Sequence, residues 1–344
     1  MGAAPRKARS AGEPVAVLGA GSWGTALAVH FARGGRSVRL WGRDRDQLAE
    51  LARSRSNERY LAGIAFPEAL SVEPDLGAAL DGARDVLVAV PSSALRALLE
   101  LLALRLTPAM HVAWATKGFE QGTLRLPHQV AREVLGEERP IAVLSGPTFA
   151  REVGAGLPTA MTVASPDADY AHALAQELST GNFRAYSATD IMGVEIGGAV
   201  KNALAVGAGL SDGLGFGANT RVALITRGLR EMTRLGVALG AEAETFMGLA
   251  GLGDLVLTCT DDQSRNRRFG LLLARGASVA DALAGIGQSV EGYGAARAIH
   301  SVAARAAVEM PLCTMVHRVL YENLPPPEAV RALMSRPIRA ETEA

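Results

Sequence analysis

The sequence of 344 residues is poor in the features that mark several classes of protein. Its two cysteines, Cys259 and Cys313, form no CxxC pair, which disfavours a disulfide scaffold and favours the reducing cytoplasm. Its six histidines show no ligand spacing, so no metal site is predicted. The formal net charge is zero, which provides no basic face for nucleic acid. No run of about 18 apolar residues lacks a charge or a glycine cluster, so an integral membrane protein is not expected.

The length favours about two domains, and the pattern of apolar residues changes along the chain. Strand-like and helical patterns alternate over residues 14–192, which predicts an α/β Rossmann domain with a doubly wound, mostly parallel sheet. Helical periods without a convincing strand fill residues 193–335, which predicts an all-α domain. Residues 1–13 are small and basic and predict a disordered tail, and residues 336–344 predict a frayed one.

The individual elements follow from apolar runs and their periods. The predicted strands are residues 15–18, 37–41, 85–90, 111–115, 140–144 and 158–164. The predicted helices are residues 25–33, 94–104, 191–210, 220–239, 242–252, 267–275, 279–283, 292–307 and 311–321, with a short last helix to about residue 334.

A glycine-rich turn lies directly after the first predicted strand. Gly19, Gly21 and Gly24 form a GxGxxG pattern between that strand and a helix, the context in which the pattern indicates dinucleotide binding. Gly19 permits a tight turn, Gly21 lets a pyrophosphate approach the backbone, and Gly24 lets the helix pack close to the strand. The helix N-terminus then offers free N–H groups to phosphate. The alternative is a glycine-rich turn without a ligand.

The end of the second predicted strand bears on the choice of cofactor. Rossmann sites usually carry an acidic residue there for the adenosine ribose, whereas this chain has Arg43. An arginine accommodates a 2′-phosphate, which favours NADP. Asp44 follows directly and is a second candidate for the ribose, so NAD is not excluded. The alternative for Arg43 is a solvated loop charge.

The apolar stretch over residues 191–210 contains two charges, Glu195 and Lys201. At about 100° per residue their spacing puts them on different faces of a helix, so Lys201 needs another partner. The many glycine and alanine residues of this stretch predict close approach of neighbouring backbones. One interpretation is a core helix whose lysine reaches the surface. The other is a catalytic or substrate-holding lysine on the helix that joins two domains.

Four further residues are candidates for a substrate site. Lys117 follows a predicted strand at the edge where α/β sheets bind ligands. Asp254 follows glycines and precedes an apolar run, which predicts a carboxylate in a cleft. Arg265 and Asn266 can together hold a phosphate. The alternatives are an ordinary loop lysine and a solvated helix start.

Seven motifs together resemble the bacterial NAD(P)-dependent glycerol-3-phosphate dehydrogenases. They are GAGSWGTALA from Gly19, ATKG around Lys117, SGPTFA from Ser145, VEIGGAVKN to Asn202, GLAGLGDLVLTCT from Gly248, QSRNRRFG from Gln263 and VEG from Val290. The resemblance implies a Rossmann domain followed by a helical domain, and a homodimer. It also implies reversible reduction of dihydroxyacetone phosphate to sn-glycerol 3-phosphate for phospholipid synthesis, with NAD or NADP as cofactor.

The resemblance also assigns roles to single residues. It implies that Lys201 is the catalytic proton donor or acceptor. The implied cofactor residues are Gly19, Gly21, Ser22, Trp23, Gly24, Arg43, Lys117, Ala150, Arg265, Ser289 and Glu291. The implied substrate residues are Lys117, Gly146, Thr148, Lys201, Asp254, Ser264, Arg265 and Asn266. Two departures from the family pattern are the acidic pair Asp261 and Asp262 beside this phosphate site, and Ser289, where valine is frequent.

Two other classes of protein share part of this pattern. A dehydrogenase acting on β-hydroxyacids or ketopantoate would also combine a Rossmann half, a helical half and a lysine. Such an enzyme has no use for the SRNRRFG cluster, because a simple carboxylic acid carries no phosphate. A nucleotide-sensing binding protein without turnover is the second alternative, and it would leave Lys201 and Asp254 without a role.

Overall fold

The computed structural model describes residues 12–337 and 340–341. The predicted N-terminal tail therefore lies outside the described residues except for Gly12 and Glu13. Of the predicted C-terminal tail, residues 338–339 and 342–344 also lie outside them.

Among the described residues, the first part of the chain contains ten strands, eight of which form one large sheet. The strands are β1 (Val15–Leu18), β2 (Val38–Trp41), β3 (Ser56–Asn57), β4 (Leu61–Ala65), β5 (Leu70–Val72), β6 (Asp85–Val88), β7 (His111–Trp114), β8 (Ile141–Ser145), β9 (Thr159–Ala164) and β10 (Phe183–Ala188). Their order in the sheet is β10-β9-β8-β7-β6-β1-β2-β5, and β3 and β4 form a separate antiparallel pair. Every pair in the large sheet is parallel except β8 with β9. The predicted mostly parallel sheet is confirmed.

Helices cover both faces of this sheet. They are α1 (Ser22–Arg33), α2 (Arg45–Ser54), α3 (Leu76–Leu80), α4 (Ser92–Ala103), α5 (Pro127–Leu135), α6 (Ala150–Ala155) and α7 (Ala168–Leu178). Val15 and Val17 of β1 pack into one apolar core, and Ala16 and Leu18 pack into another. Because successive side chains of a strand point to opposite faces, the sheet is buried on both sides, as a doubly wound fold requires.

The second part of the chain is helical, as predicted. Its helices are α8 (Ile191–Gly213), α9 (Ala218–Ala238), α10 (Asp254–Thr260), α11 (Arg265–Ala274), α12 (Val279–Ile286), α13 (Glu291–Arg305), α14 (Pro311–Tyr321) and α15 (Pro326–Met334). A short 3-10 helix (Ala243–Met247) and a π-helical turn (Leu249–Gly253) precede α10.

Helix α8 lies at the centre of this helical part, in contact with α9, α10, α11, α13 and α14. A side chain at Gly209 would place its Cβ 2.0 Å from the carbonyl oxygen of Arg267, and one at Gly270 would place it 2.2 Å from that of Val206. The expected close approach of backbones to α8 is therefore confirmed. Among the described residues, α8 alone is long and apolar enough to cross a membrane, and 89% of its most apolar window is buried inside the protein.

Two groups of element predictions were wrong. The helix predicted over residues 242–252 is a 3-10 helix followed by a π-helical turn, and α10 was missed. The glycines weaken an α-helix here, and a Cβ at Gly251 would lie 2.2 Å from the carbonyl oxygen of Phe246. The strands β3, β4, β5 and β10 and the helices α2, α3, α5, α6 and α7 were also missed. β3 and β4 form a separate short pair, and β5 and β10 are the two edges of the large sheet, where the apolar alternation is weak.

Candidate active site

The glycine turn lies where the strand order changes direction, since β1 is flanked by β2 on one side and β6 on the other. A Cβ at Gly19 would lie 2.4 Å from the carbonyl oxygen of Ala89, and one at Gly24 would lie 1.9 Å from that of Gly19. A Cβ at Gly21, in contrast, would have no atom of the described chain within 4 Å. Gly19 and Gly24 thus allow close packing, and Gly21 leaves open space at the carboxyl edge of the sheet, where doubly wound folds bind nucleotides.

The first turn of α1 faces this open space. Gly21 precedes the helix with an extended backbone, and no side chain of the described residues caps it. The N–H groups of Ser22 and Trp23 therefore remain available to an anion, at the positive end of the helix dipole. The turn and helix fit the pyrophosphate of a dinucleotide.

Arg43 and Asp44 follow β2 and differ in what they do. Arg43 is exposed. Asp44 caps α2, because its Oδ1 accepts a hydrogen bond of 3.0 Å from the N–H of Gln47. The helix cap already uses the carboxylate of Asp44, so the exposed guanidinium of Arg43 is the freer of the two groups for the adenosine end of a cofactor.

Two ammonium groups converge on one buried carboxylate where the sheet meets α8. The Nζ of Lys201 donates to Oδ1 of Asp254 and, at 3.0 Å, to Oγ1 of Thr258. The Nζ of Lys117, which follows β7, donates to Oδ2 of Asp254 at 2.5 Å. Asp254 is 1% exposed and Lys201 is 8% exposed. Lys201 therefore has the separate partner that its helix face predicted, and the carboxylate of Asp254 is buried between the two ammonium groups.

Glu195 on α8 is paired elsewhere, as its position on the helix predicted. Its carboxylate accepts hydrogen bonds from Nε1 of Trp114 at 2.9 Å and from the N–H of His128 at 3.0 Å. Its Oε2 also lies 2.6 Å from Nδ1 of His128. Burial raises the pKa of Glu195, and the His128 contacts oppose that shift. The two charges of α8 therefore serve separate sites.

The environment of Lys201 changes its proton affinity. Burial lowers the pKa of the Lys201 ammonium, Asp254 opposes that shift, the charge of Lys117 adds to it, and the net pKa is about 8. Burial alone would raise the pKa of Asp254, but the charges of Lys117 and Lys201 hold it below its usual value. The hydrogen-bonded cluster thus holds one carboxylate and two ammonium groups, an excess of positive charge that the nearby Glu291 carboxylate partly offsets.

A chain of amide hydrogen bonds lies beside Lys201. Asn202 donates from Nδ2 to Oε2 of Glu291 at 3.0 Å, and its Oδ1 accepts from Nδ2 of Asn266 at 2.9 Å. The Oδ1 of Asn266 accepts from the N–H of Gly292 at 2.9 Å. The structure therefore brings Glu291, assigned to the cofactor, and Asn266, assigned to the substrate, together through the neighbour of Lys201.

The SRNRRFG cluster forms the start of α11 and is mostly buried. Ser264 caps the helix, since its Oγ accepts from the N–H of Arg267 at 3.2 Å. Arg265 is half-buried, and its Nη1 donates to Oε1 of Gln288 at 3.3 Å. The Arg267 guanidinium binds Asp262 and, at 2.6 Å, Asp212. The carboxylate of Asp262, one of the two acidic residues that depart from the family pattern, is thereby paired with an arginine.

The SGPT segment after β8 lies close to Lys117. A Cβ at Gly198 of α8 would lie 3.3 Å from Oγ of Ser145 and 3.4 Å from the side chain of Lys117. Gly146 allows close contact with β9, where a Cβ would lie 2.8 Å from Cα of Met161. The Oγ1 of Thr148 donates to the carbonyl oxygen of Gly146 at 3.2 Å.

Two remaining cofactor candidates lie at element starts. Ala150 is the first residue of α6, and Ser289 is exposed two residues before α13. The role of each at a cofactor stays a prediction.

The sequence reasoning missed two contributors to this site, Thr258 and Asn202, and one further signal. Thr258 lies four residues after Asp254 and shares its helix face, a signal that required the missed helix α10. Asn202 was noted only as part of a motif. The further signal is scarcity: Lys117, Lys201 and Lys7 are the three lysines of the chain, and every other strong cation is arginine. Two of three lysines therefore meet at one carboxylate.

Comparison with known proteins agrees with this geometry. The family NAD-dependent glycerol-3-phosphate dehydrogenase N-terminus matches residues 14–171, and its C-terminus matches residues 190–331. A glycerol-3-phosphate dehydrogenase [NAD(P)+] of Aeromonas hydrophila is 55% identical over 94% of this chain and 97% of its own. The crystal structure of a glycerol-3-phosphate dehydrogenase from Coxiella burnetii is 47% identical, with a TM-score of 0.92, and covers 95% of this chain and all of its own.

A ketopantoate reductase from Ralstonia eutropha is 17% identical with a TM-score of 0.59, over 92% of this chain and 99% of its own, and shares the fold alone. The family models of glycerol-3-phosphate dehydrogenase match both halves of the chain, and this decides against the ketopantoate reductases. The chain belongs to the NAD-dependent glycerol-3-phosphate dehydrogenase family.

Proposed function

We propose that the protein is an oxidoreductase that reversibly reduces dihydroxyacetone phosphate to sn-glycerol 3-phosphate with NADH or NADPH, and thereby supplies glycerophospholipid synthesis. The observation that carries the proposal is the Asp254 carboxylate between the ammonium groups of Lys117 and Lys201. The relatives carry the name of this activity.

The cofactor, when bound at the glycine turn, supplies the hydride, and the residues of the chain provide the rest of the chemistry. Reduction of a ketone builds negative charge on its oxygen, which needs a positioned proton donor. The Nζ of Lys201 is that donor, because it is held by Asp254 and Thr258 on a rigid helix. In the reverse direction the neutral amine accepts the proton.

The phosphate of the substrate binds to the positive side of the same cluster. Lys117 provides one ammonium from the sheet, and Arg265 provides a guanidinium from α11. The hydrogen bond of Arg265 to Gln288 is one between a charged and a neutral group, and a phosphate offers a stronger one. Ser264 and Asn266 hold the start of α11 in place below that guanidinium.

The remaining assignments complete the proposal. The cofactor is held by Gly19, Gly21, Ser22, Trp23, Gly24, Arg43, Ala150, Ser289 and Glu291, with Lys117 and Arg265 shared with the substrate. The substrate also meets Gly146, Thr148, Asp254, Ser264 and Asn266. The domain boundary lies between residues 192 and 193, in the first turn of α8. The protein acts in the cytoplasm as a homodimer.

The test is an absorbance assay of reduced nicotinamide with purified protein. We expect oxidation of NADH or NADPH with dihydroxyacetone phosphate, and little with ketopantoate or with dihydroxyacetone. We expect Arg43→Ala to weaken the binding of NADPH more than that of NADH. Turnover of ketopantoate alone would assign the protein to the other class of dehydrogenase, and cofactor binding without any turnover would indicate a nucleotide sensor.

A further inference from the structure

An apolar cavity of about 400 Å³ lies in the helical part of the chain, between α8, α9, α14 and α15. Its wall includes Leu204, Leu210, Leu224, Met315, Val319 and Leu333. Its volume lies in the range of roughly 300 to 1,000 Å³ that is usual for small-molecule sites. Lys117, Lys201 and Asp254 do not line it, so it is separate from the candidate active site.

One buried hydroxyl in the wall lacks a protein partner. Ser211 of α8 is 5% exposed and lines the cavity, and its Oγ has no hydrogen-bond partner among the described residues. A buried polar group without a partner costs free energy, which a ligand with an acceptor or donor relieves. The carboxylate of Glu231, in contrast, is used by the protein, since it accepts from the N–H groups of Leu312 and Cys313 at 2.6 and 3.1 Å.

Three arginines line the cavity at its margin, namely Arg227, Arg234 and Arg336. Arg227 faces Glu341 at 3.6 Å and Arg336 faces Glu309 at 3.5 Å, both in solvent-exposed pairs. Arg234 donates to the carbonyl oxygen of Glu309 at 2.8 Å. Exposed pairs of this kind are weak, so an incoming anion can replace their carboxylates.

The rim also carries exposed apolar side chains. Phe216 is 38% exposed and Met334 is 81% exposed, and both line the cavity. An apolar interior with an apolar rim is unsuited to a dinucleotide or to a three-carbon phosphate, which are polar over most of their surface. The cations at the margin are unsuited to a neutral hydrocarbon.

We infer that this cavity binds a single-chain amphiphile with an anionic head group, a free fatty acid or a monoalkyl phosphate. The alkyl chain lies against the apolar wall between α8 and α15, and the head group meets the arginines and accepts a hydrogen bond from the Ser211 hydroxyl. The cavity wall includes Leu204 and Gly207, which lie on the same helix as Lys201. The inference rests on the cavity alone and stands whether or not the proposed reaction is correct.

The test is calorimetric titration of the full-length protein with dodecanoate and with dodecyl phosphate, below their micelle concentrations, and with dodecanol as the neutral probe. We expect saturable binding of at least one anion at a single site, about tenfold or more tighter than that of dodecanol, the scale of one charge-assisted hydrogen bond. The affinity order of the two anions identifies the source of the head group.

Two matched variants locate the binding site. Ala223 lines the mouth and is exposed, so Ala223→Trp can fill the entrance without burying a new side chain in the core. Its neighbour Val222 is 63% exposed and lies outside the wall. We expect Ala223→Trp to weaken binding of the anion about tenfold or more, and Val222→Trp to leave its binding unchanged.

Three results would overturn the inference. The first is no saturable binding of either anion, and the second is equal loss in both tryptophan variants. The third is a change in the native mass of Ala223→Trp without added ligand, measured by light scattering, because that would make this face a contact between two copies of the chain.

Discussion

The proposed chemistry of this protein depends on Lys201 and Lys117. An arginine remains protonated at any physiological pH, whereas a buried lysine can gain and lose its proton near neutrality. The chain uses arginine for nearly all its other strong cations and places two of its three lysines at Asp254. This selection fits a site where a proton is transferred rather than one where charge alone is needed.

The first prediction concerns removal of the proton donor. Lys201→Ala should lower kcat by at least about 10²-fold, the low end of general acid catalysis. Binding of the reduced cofactor, measured by its fluorescence, should change little, because the glycine turn lies on the sheet and not on α8. Lys201→Arg should not restore the rate, since a guanidinium does not release its proton. Near-normal turnover of Lys201→Ala would exclude the proposed role.

The second prediction concerns pH. In the proposed mechanism the reduction requires protonated Lys201, whose pKa is about 8, so kcat/KM for the ketone should fall as the pH rises through about 8. The oxidation requires the neutral amine, so its kcat/KM should rise over the same interval. The charge of Lys117 lowers the pKa of Lys201, so Lys117→Gln should move both transitions to higher pH. Profiles that stay in place after this substitution would assign the transition to another group.

At the scale of elements, the site depends on how α8 and α10 begin. Asp190 caps α8 through a 2.8 Å hydrogen bond from the N–H of Gly193 to its Oδ1. Its Oδ2 accepts from the N–H of Glu242 at 2.9 Å and from Oγ1 of Thr245 at 2.7 Å. One carboxylate thereby ties the helix of Lys201 to the segment that leads into the π-helical turn and then to Asp254.

Helix α8 and the π-helical turn before α10 approach each other closely. A Cβ at Gly197 of α8 would lie 2.5 Å from the carbonyl oxygen of Ala250 in the π-helical turn. Turns of this type occur mostly as single turns and frequently lie at functional sites. The pairing of Lys201 with Asp254 is therefore set by contacts several residues away from either side chain.

The third prediction tests this positioning role of Asp190. In Asp190→Asn the amide can still cap α8, but its NH2 group would face the N–H of Glu242, at a cost of about 1 to 3 kcal/mol. We expect a lower free energy of unfolding and a several-fold lower kcat, with a shifted alkaline limb in the pH profile. The KM for the cofactor should change little.

Asp75→Asn is the matched control for this variant. Asp75 caps α3 through one hydrogen bond of 2.9 Å from the N–H of Ala78, at an exposed position. Asparagine preserves that bond, so stability and kinetics should match the wild type. If Asp190→Asn proved as neutral as this control, the link between α8 and α10 would have no part in catalysis. A loss of stability alone, with an unchanged pH profile, would make Asp190 merely structural.

At the scale of the whole molecule, the site is shared between the two halves of the chain. The glycine turn and Lys117 belong to the sheet, whereas Asp254 and Arg265 belong to the helical part. A doubly charged phosphate that meets both Lys117 and Arg265 would draw the two halves together over the cofactor. Substrate binding and alignment of the ketone would then depend on one another.

The fourth prediction measures this coupling. Arg265→Ala should raise KM for dihydroxyacetone phosphate by roughly 10- to 150-fold, the equivalent of about 1.5 to 3 kcal/mol for a charge-assisted hydrogen bond. It should also lower kcat if the contact aligns the ketone. Arg265→Lys should recover part of the loss, because a point charge cannot reproduce the planar fork. Steady-state kinetics of the three proteins provide the measurement.

Dihydroxyacetone is the control substrate for this comparison, since it lacks the phosphate. At saturating cofactor, its slow turnover should fall much less in Arg265→Ala than the turnover of dihydroxyacetone phosphate. Equal damage to both substrates would mean that Arg265 serves the cofactor or the fold, and the phosphate contact would have to be abandoned.

The sequence by itself determined those features that depend on near neighbours in the chain. Gly19, Gly21 and Gly24 are predictable because strand, turn and helix are consecutive, and the limits of α14 were predicted to the residue because Pro311 starts it. The angle between Glu195 and Lys201 follows from the helical repeat alone. The mostly parallel sheet followed from the alternation of apolar runs.

Only the tertiary structure decided which of these residues meet. Lys117 and Asp254 are 137 residues apart, and Asn202 and Glu291 are 89 apart, so no local period links them. The π-helical turn before Asp254 and the edge strand β10 depend on packing against distant elements, which overrides local propensity. The residues of the site could therefore be identified one by one from the sequence. Their geometry depends on the packing of distant segments around α8.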